Sequence, residues 1–333
     1  MRDAWSPGVR VPDDGGQLTS QRVRRRGVLL GAASLAAAAC GRAAARVAPD
    51  TAPTLIRGPA RVSAPVAPVS GGHHGAANPA GRPVPVPPMT SAPPAQMTGR
   101  ATVPVLCWHQ LRSWVPTDSA YSRSALICPP ARFREQLDAL AAAGVTTIGP
   151  GDYLAHLRTG IPLPPRPVLL SFDDSQVSQI TEGLPQLQQR QLTATFFVMT
   201  VVLGKPGWMS PRDLRRLRDA GMTVAAHTWD HHRADRYTGA DWSVQLDQPR
   251  ELLERLLRTP VEHFAYPYGA WSTADFPHLR HAGYSTAFQL SDRGVDRAEP
   301  LLTLRRLLVS SSWTGPQLLA AVAAARRPPP PAG

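Results

Sequence analysis

The chain has 333 residues, enough for one large or two ordinary domains, and carries 36 prolines and a formal charge of +12. The prolines crowd into part of the length, so part of it is not globular. The positive charge is arginine scattered through helical segments, with no dense basic block, no interleaved aromatics and no nucleic-acid motif. Nucleic acid is therefore not an expected partner, whereas a mild attraction to anionic surfaces such as envelope polymers is.

Residues 1–23 are polar and irregular. Arg24 to Cys40 then has the charged start, short apolar core and small-residue end of a secretory signal. The core, Val28 to Ala39, is too short to span a bilayer, which takes roughly 20 apolar residues. Arg25-Arg26-Gly27-Val28-Leu29 resembles a twin-arginine export signal. Cys40 after Ala37-Ala38-Ala39 resembles the cysteine of a bacterial lipoprotein signal, although Ala37 stands where Leu is usual. Residues 1–40 are thus expected to be an export segment, with acylation of Cys40 favoured over simple cleavage. The expected location is the cell envelope, through a lipid anchor in the membrane, or outside the cell. Residues 41–101 are mostly Ala, Pro, Val, Gly and Ser and are expected to form a disordered linker, in which His73-His74 reads as a solvated loop.

From Thr102 strand-like and helix-like runs alternate. The sequence predicts strands at Val103–Trp108, Val145–Ile148, Val168–Phe172, Thr195–Met199, Thr223–Ala226, His263–Tyr266, Thr286–Gln289 and Arg305–Val309. Helices are predicted at Ala131–Ala143, Asp152–Arg158, Val177–Arg190 (broken), Ser210–Gly221, Asp241–Arg258, Ala274–Ala282 and Gly315–Arg326, before a proline-rich tail at 327–333. This alternation predicts an α/β fold, a distorted (β/α) barrel of seven or eight parallel strands with outer helices. An open doubly wound sheet is the competing arrangement, although no glycine-rich phosphate loop follows the first strand.

Polar residues gather where the strands end. His109 follows V-L-C-W, Asp173 and Asp174 follow L-L-S-F, His227 follows T-V-A-A, and Pro267-Tyr268-Gly269 follows H-F-A-Y. In a parallel barrel these ends share one face, where active sites are built. Two acids at a buried strand tip need a cation, a histidine or a polar substrate, unless they merely cap the next helix. His227 and His231, four apart, reach one ion from a helical turn or folded loop, and an Asp from another strand completes a three-ligand site; a histidine-rich surface loop is the plainer reading. His232 is expected to be exposed.

S-F-D-D-S, H-T-W-D-H and A-Y-P-Y-G, in this order, resemble the first three motifs of the polysaccharide deacetylases (carbohydrate esterase family four, NodB homology). The resemblance spans about Val103 to Val309 and includes V-P-V-L-C-W-H and A-T-F-F-V-M. It is nearest the branch containing poly-N-acetylglucosamine deacetylases, and it makes residues 102–326 the catalytic domain. The resemblance implies that Asp174, His227 and His231 bind a divalent metal, usually Zn2+, with Co2+ or Ni2+ as alternatives. It implies Asp173 as general base, the Tyr268 N–H as oxyanion donor, His109 as general acid, and Arg306 as the residue that orients Asp173. The implied substrate is an N-acetylglucosamine-type polymer of the envelope or exterior. Three residues depart from the pattern: Ser175 replaces a usual Gly, Ala265 replaces an Arg found in many members, and no Leu-x-His follows the last strand. The Ser175 and Ala265 departures keep a non-catalytic carbohydrate-binding protein in competition, and an O-acetyl esterase competes because metal-activated water does not choose between amide and ester. Cys107 and Cys128 could form a disulfide in an oxidising compartment, or could be separate core thiols.

Overall fold

The computed structural model describes residues 91–326. The expected export segment, residues 41–90 of the expected linker and the expected tail lie outside the described residues. Among the described residues no helix is long and apolar enough to cross a membrane.

The strands are β1 (Val105–Trp108), β2 (Thr146–Thr147), β3 (Pro167–Phe172), β4 (Thr195–Val198), β5 (Thr223–Ala226), β6 (His263–Ala265), β7 (Thr286–Gln289), β8 (Leu304–Arg305) and β9 (Leu307–Leu308). They pair in parallel in the order β8-β7-β6-β5-β4-β3-β1-β9, with β2 added beside β3. The predicted single strand 305–309 is interrupted at Arg306. The Arg306 N–H still bonds the Gln289 carbonyl of β7 at 2.9 Å, whereas Leu307 and Leu308 register with Leu106 and Cys107 of β1. One short segment thus touches both edges of the sheet, and the result is a nearly closed (β/α) barrel rather than an open sheet.

The helices are α1 (Pro94–Arg100), α2 (Pro130–Ala142), α3 (Pro150–Thr159), α4 (Leu184–Gln189), α5 (Pro211–Asp219), α6 (Gln248–Leu257), α7 (Asp275–His281) and α8 (Gly315–Ala325). α1 is a correction, because its residues belong to the expected disordered linker. Pro94 starts the helix where its missing N–H costs nothing, Met97 is buried, and Arg100 donates to the Leu157 carbonyl of α3 at 2.9 Å. The expected long helix 241–258 is also divided: a π-type turn at Ser243–Asp247 precedes α6, where Pro249 lacks the N–H a continuous helix needs. α5 follows its sequence signals closely. The Ser210 Oγ accepts the Asp213 N–H, the Asp213 carboxylate accepts the Ser210 N–H at 2.8 Å, and Leu214 and Leu217 are buried.

Side chains alternate along each strand, and the two phases fill two cores. Leu106, Trp108, Leu170, Phe172, Phe196 and Val198 pack outward under the helices. Val105, Leu169, Phe197, Ala225, Ala265, Phe288 and Leu304 form a second cluster inside the barrel, with Tyr153 and Leu157 of α3 packed into it. Continuing the inward phase by two or four residues reaches Cys107 and His109, Ser171 and Asp173, His227, Pro267 and Arg306. The rule that fills the barrel therefore delivers its reactive residues to the mouth.

Candidate active site

Asp173 is buried, at 1% exposure, and both of its oxygens are held by Arg306, Nη1 to Oδ1 at 2.6 Å and Nη2 to Oδ2 at 2.7 Å. The strand break at Arg306 lets the chain pass from β7 to β1 while this side chain stays inside, its guanidinium 5.1 Å from the Phe197 ring centre. Arg306 thus occupies from a different strand the role that the sequence resemblance links to an Arg at position 265.

Asp174 is out of phase with Asp173 and would point away if the strand continued. Its φ of +73°, followed by +63° at Ser175, turns its carboxylate back into the mouth. Two consecutive left-handed residues without glycine are costly, roughly 1–2 kcal/mol each. Ser175 meets that cost with its side chain: fully buried, its Oγ accepts the Met199 N–H at 2.9 Å, and its carbonyl accepts the Met209 N–H at 2.9 Å. The acid turn is therefore tied to the end of β4 by a hydroxyl that glycine lacks.

His227 and His231 come from a folded loop, with positive φ at Thr228 and His231. The Thr228 Oγ1 accepts the His231 N–H at 3.0 Å, and Gln245 clasps the loop by accepting the Trp229 N–H at 3.1 Å and donating to Asp230 at 2.7 Å. The His227 Nε2 lies 3.5 Å and the His231 Nε2 3.3 Å from the Asp174 Oδ1. One ligand atom from each of the three residues lies within 4.8 Å of the others. Hydrogen bonding by the His227 Nδ1–H to the Ala265 carbonyl, at 2.7 Å, leaves an Nε2 lone pair facing the carboxylate. That Nε2 and the Asp174 Oδ1 are both buried without a hydrogen-bond partner in the protein, which is how a cation's ligands are arranged. The donor set, one carboxylate and two imidazoles, fits a divalent metal such as zinc.

Burial disfavours the charge on Asp173, but Arg306 and then His227 outweigh it and hold the acid below the usual carboxylate range. Asp174 is likewise held low against its burial, chiefly by His231. Burial pushes His231 down to about 4, against the pull of Asp174. In His227 burial is outweighed by Asp173 and Asp174, and the net direction is upward.

His109 is also at the mouth, 8% exposed, with its Nε2 4.0 Å from the Asp173 Oδ2. Tyr268 sits at a φ of +59° in the turn after β6, its half-exposed ring edge-on to His231 at 4.5 Å. A cavity of about 440 Å³ opens beside His231 and Tyr268, lined further by Arg233, Arg236, Tyr237 and Gln245. His232 is 74% exposed at its side chain and pairs with Asp230. All seven expected site residues, His109, Asp173, Asp174, His227, His231, Tyr268 and Arg306, thus surround one mouth.

Two supporting residues were not anticipated. Gln179, buried in the π-type turn Gln179–Gly183, donates to the His109 carbonyl at 2.8 Å and to the Asp173 carbonyl, clasping two strand tips. Gln245 clasps the histidine loop as described. Each is a glutamine on the buried side of an irregular helix, and that is the only sequence signal either gives. The disulfide alternative is corrected: Cys107 and Cys128 are separate buried thiols. The Cys107 Sγ lies 3.5 Å from the Arg306 Nη1, and the Cys128 Sγ lies 3.6 Å from the Gln136 Oε1, each engaged away from the other. Burial pushes the Cys128 thiol up to about 12.

Residues 160–287 match the family model described as polysaccharide deacetylase. Over 215 residues the chain is 20% identical to YxkH of Bacillus subtilis, a protein assigned to the polysaccharide deacetylases, covering 65% of this chain and 74% of that one. It is 23% identical over 252 residues to the poly-β-1,6-N-acetyl-D-glucosamine N-deacetylase of Escherichia coli, covering 62% of this chain but 36% of that one. The fold is similar to that of the Streptococcus pyogenes deacetylase PplD, solved with acetate, at a TM-score of 0.61 and 20% identity, over 66% of this chain and 97% of that one. With its barrel, its Asp-His-His group and these matches, the described part of the chain contains a polysaccharide deacetylase domain, matched over residues 160–287.

Proposed function

We propose that the protein is a metal-dependent hydrolase that removes acetyl groups from N-acetylglucosamine-type sugars of a cell-envelope or extracellular polysaccharide. The observation that carries this reading is the division of labour between adjacent acids: Asp174 faces two imidazoles, while Asp173 is gripped by a guanidinium. Asp174, His227 and His231 hold the metal, which when bound supplies Lewis-acid polarisation of the acetamide carbonyl and acidifies a water. Asp173, kept ionised by Arg306, takes the proton of the attacking water. The Tyr268 N–H donates to the oxygen on which negative charge develops. His109 gives a proton to the leaving amine, a role supported by the 4.0 Å between its Nε2 and the Asp173 Oδ2. Ser175 and Ala265, the departures that favoured a non-catalytic binder, are accommodated by the Met199 bond and by Arg306 respectively.

The test is acetate release from a panel of acetylated glycans after metal removal and re-addition of zinc, cobalt or nickel. Release from N-acetylglucosamine oligomers that depends on metal is the expected result. Stoichiometric metal with no release from any glycan would overturn the reading, and release from O-acetyl esters alone would redirect it to an esterase.

A further inference from the structure

We propose that the loop between β1 and α2 carries a second sugar-binding position, centred on Trp114, that holds the polymer away from the sugar being deacetylated. This inference rests on the deacetylase reading above. His109 begins the loop, and the rest of it is held firmly. The Arg112 guanidinium forks onto the Asp118 carboxylate at 2.9 and 2.8 Å, and the same carboxylate accepts the Val115 N–H at 2.7 Å. Arg123 ties down the Val115 and Pro116 carbonyls at 3.0 and 3.1 Å. The Trp114 indole N–H donates inward to the Ile127 carbonyl at 3.0 Å, yet the side chain is 47% exposed. The only polar group of the ring is thereby used internally, and what meets solvent is a fixed aromatic surface.

A groove of about 400 Å³ runs beside this ring, lined also by Asp118, Arg123, Ser124, Ser311 and Ser312. Ser124 and Ser312 are exposed. A flat aromatic surface edged by hydroxyls and one acid suits a pyranose ring, which has an apolar C–H face and a rim of hydroxyls. The groove is linked to the His109 side of the mouth by packing: Ser311, buried, lies against both this groove and the closed crevice that holds His109. The Ser311 N–H bonds the Ser124 carbonyl at 2.9 Å, and Ser311 follows β9, the strand that Arg306 precedes. His109 and Trp114 belong to one loop, so a polymer following that loop away from the metal-facing sugar leads toward the indole.

The experiment compares wild type, Trp114→Ala and Trp114→Phe on N-acetylglucosamine oligomers of increasing length and on the single sugar or a small acetyl ester. Trp114→Ala should raise KM for long oligomers about tenfold, with kcat and the small-substrate constants unchanged, and Trp114→Phe should recover most of the loss. Calorimetric titration of the same oligomers gives affinity without turnover. Trp114-dependent binding without acetate release would fell the deacetylase reading and leave the sugar position standing. Unchanged oligomer affinity in Trp114→Ala, or equal losses on long and short substrates, would overturn the sugar position itself.

Discussion

Asp173 and Ser175 frame the acid turn, and each gives a test at the scale of one side chain. Asp173→Asn keeps the shape of the base and removes its proton affinity. Acetate release should fall by about a hundredfold to ten-thousandfold while zinc content, read by metal analysis, stays unchanged. Ser175 separates backbone strain from hydrogen bonding. Ser175→Ala keeps a side chain at φ +63° and orphans the buried Met199 N–H, so it should lose about 1–3 kcal/mol in denaturant unfolding. Ser175→Gly also loses the bond but relaxes the strain, so it should lose less. Equal losses in the two variants would show that the positive φ carries no cost. Nothing in the residue order S-F-D-D-S tells that the second acid must turn back, because the turn depends on β4 supplying a donor across space.

At the scale of elements, strand phase was the legible signal. Val105, Cys107 and His109, or Leu169, Ser171 and Asp173, lie two apart, so an inward strand face extends to a reactive tip, and the sequence already shows this. The helix beginning at Pro211 was equally legible because its cap and stop are local. The pieces that depend on distant partners were not legible. A buried Met97 and the Arg100 bond to the Leu157 carbonyl of α3 turn a proline-rich stretch into α1, and Arg306 splits the last strand to reach Asp173. The Pro267-Tyr268-Gly269 turn could be read as a break but not as a tightly packed one. A Cβ on Gly269, at φ +67°, would lie 2.2 Å from the Leu290 backbone nitrogen. Gly269→Ala should therefore cost about 4 kcal/mol or more and displace Tyr268, measured as a lost cooperative transition or a large fall in Tm.

For the whole molecule, two linkages are open to measurement. A group that binds only the folded chain stabilises it, by about 2.7 kcal/mol at a hundredfold excess over its Kd. Zinc should raise Tm, a chelator should reverse this, and His227→Ala should abolish the shift; an equal zinc shift in that variant would remove His227 from the ligand set. The second linkage is His263, buried on β6 with its Nδ1 2.8 Å from the Thr286 Oγ1. Burial pushes this imidazole down to about 4 from an ordinary 6.5, so the native state prefers it neutral. Its contribution is complete above pH 6.5 and is lost as pH falls toward 4, where the unfolded chain binds the proton first. A His263→Gln variant should show a flatter decline of stability across that window.

The split strand around Arg306 also has a consequence in time. Asp173 leaves the ribosome 133 residues before the arginine that neutralises it. Domains assemble as their chain emerges from the amino-terminal end, so the acid spends most of the synthesis that follows it without its counter-ion. The residue that supplies that charge lies in the segment that joins the two edges of the barrel. An unfinished ring therefore leaves Asp173 without its guanidinium, and under the proposed mechanism the appearance of turnover reports that the last gap has shut.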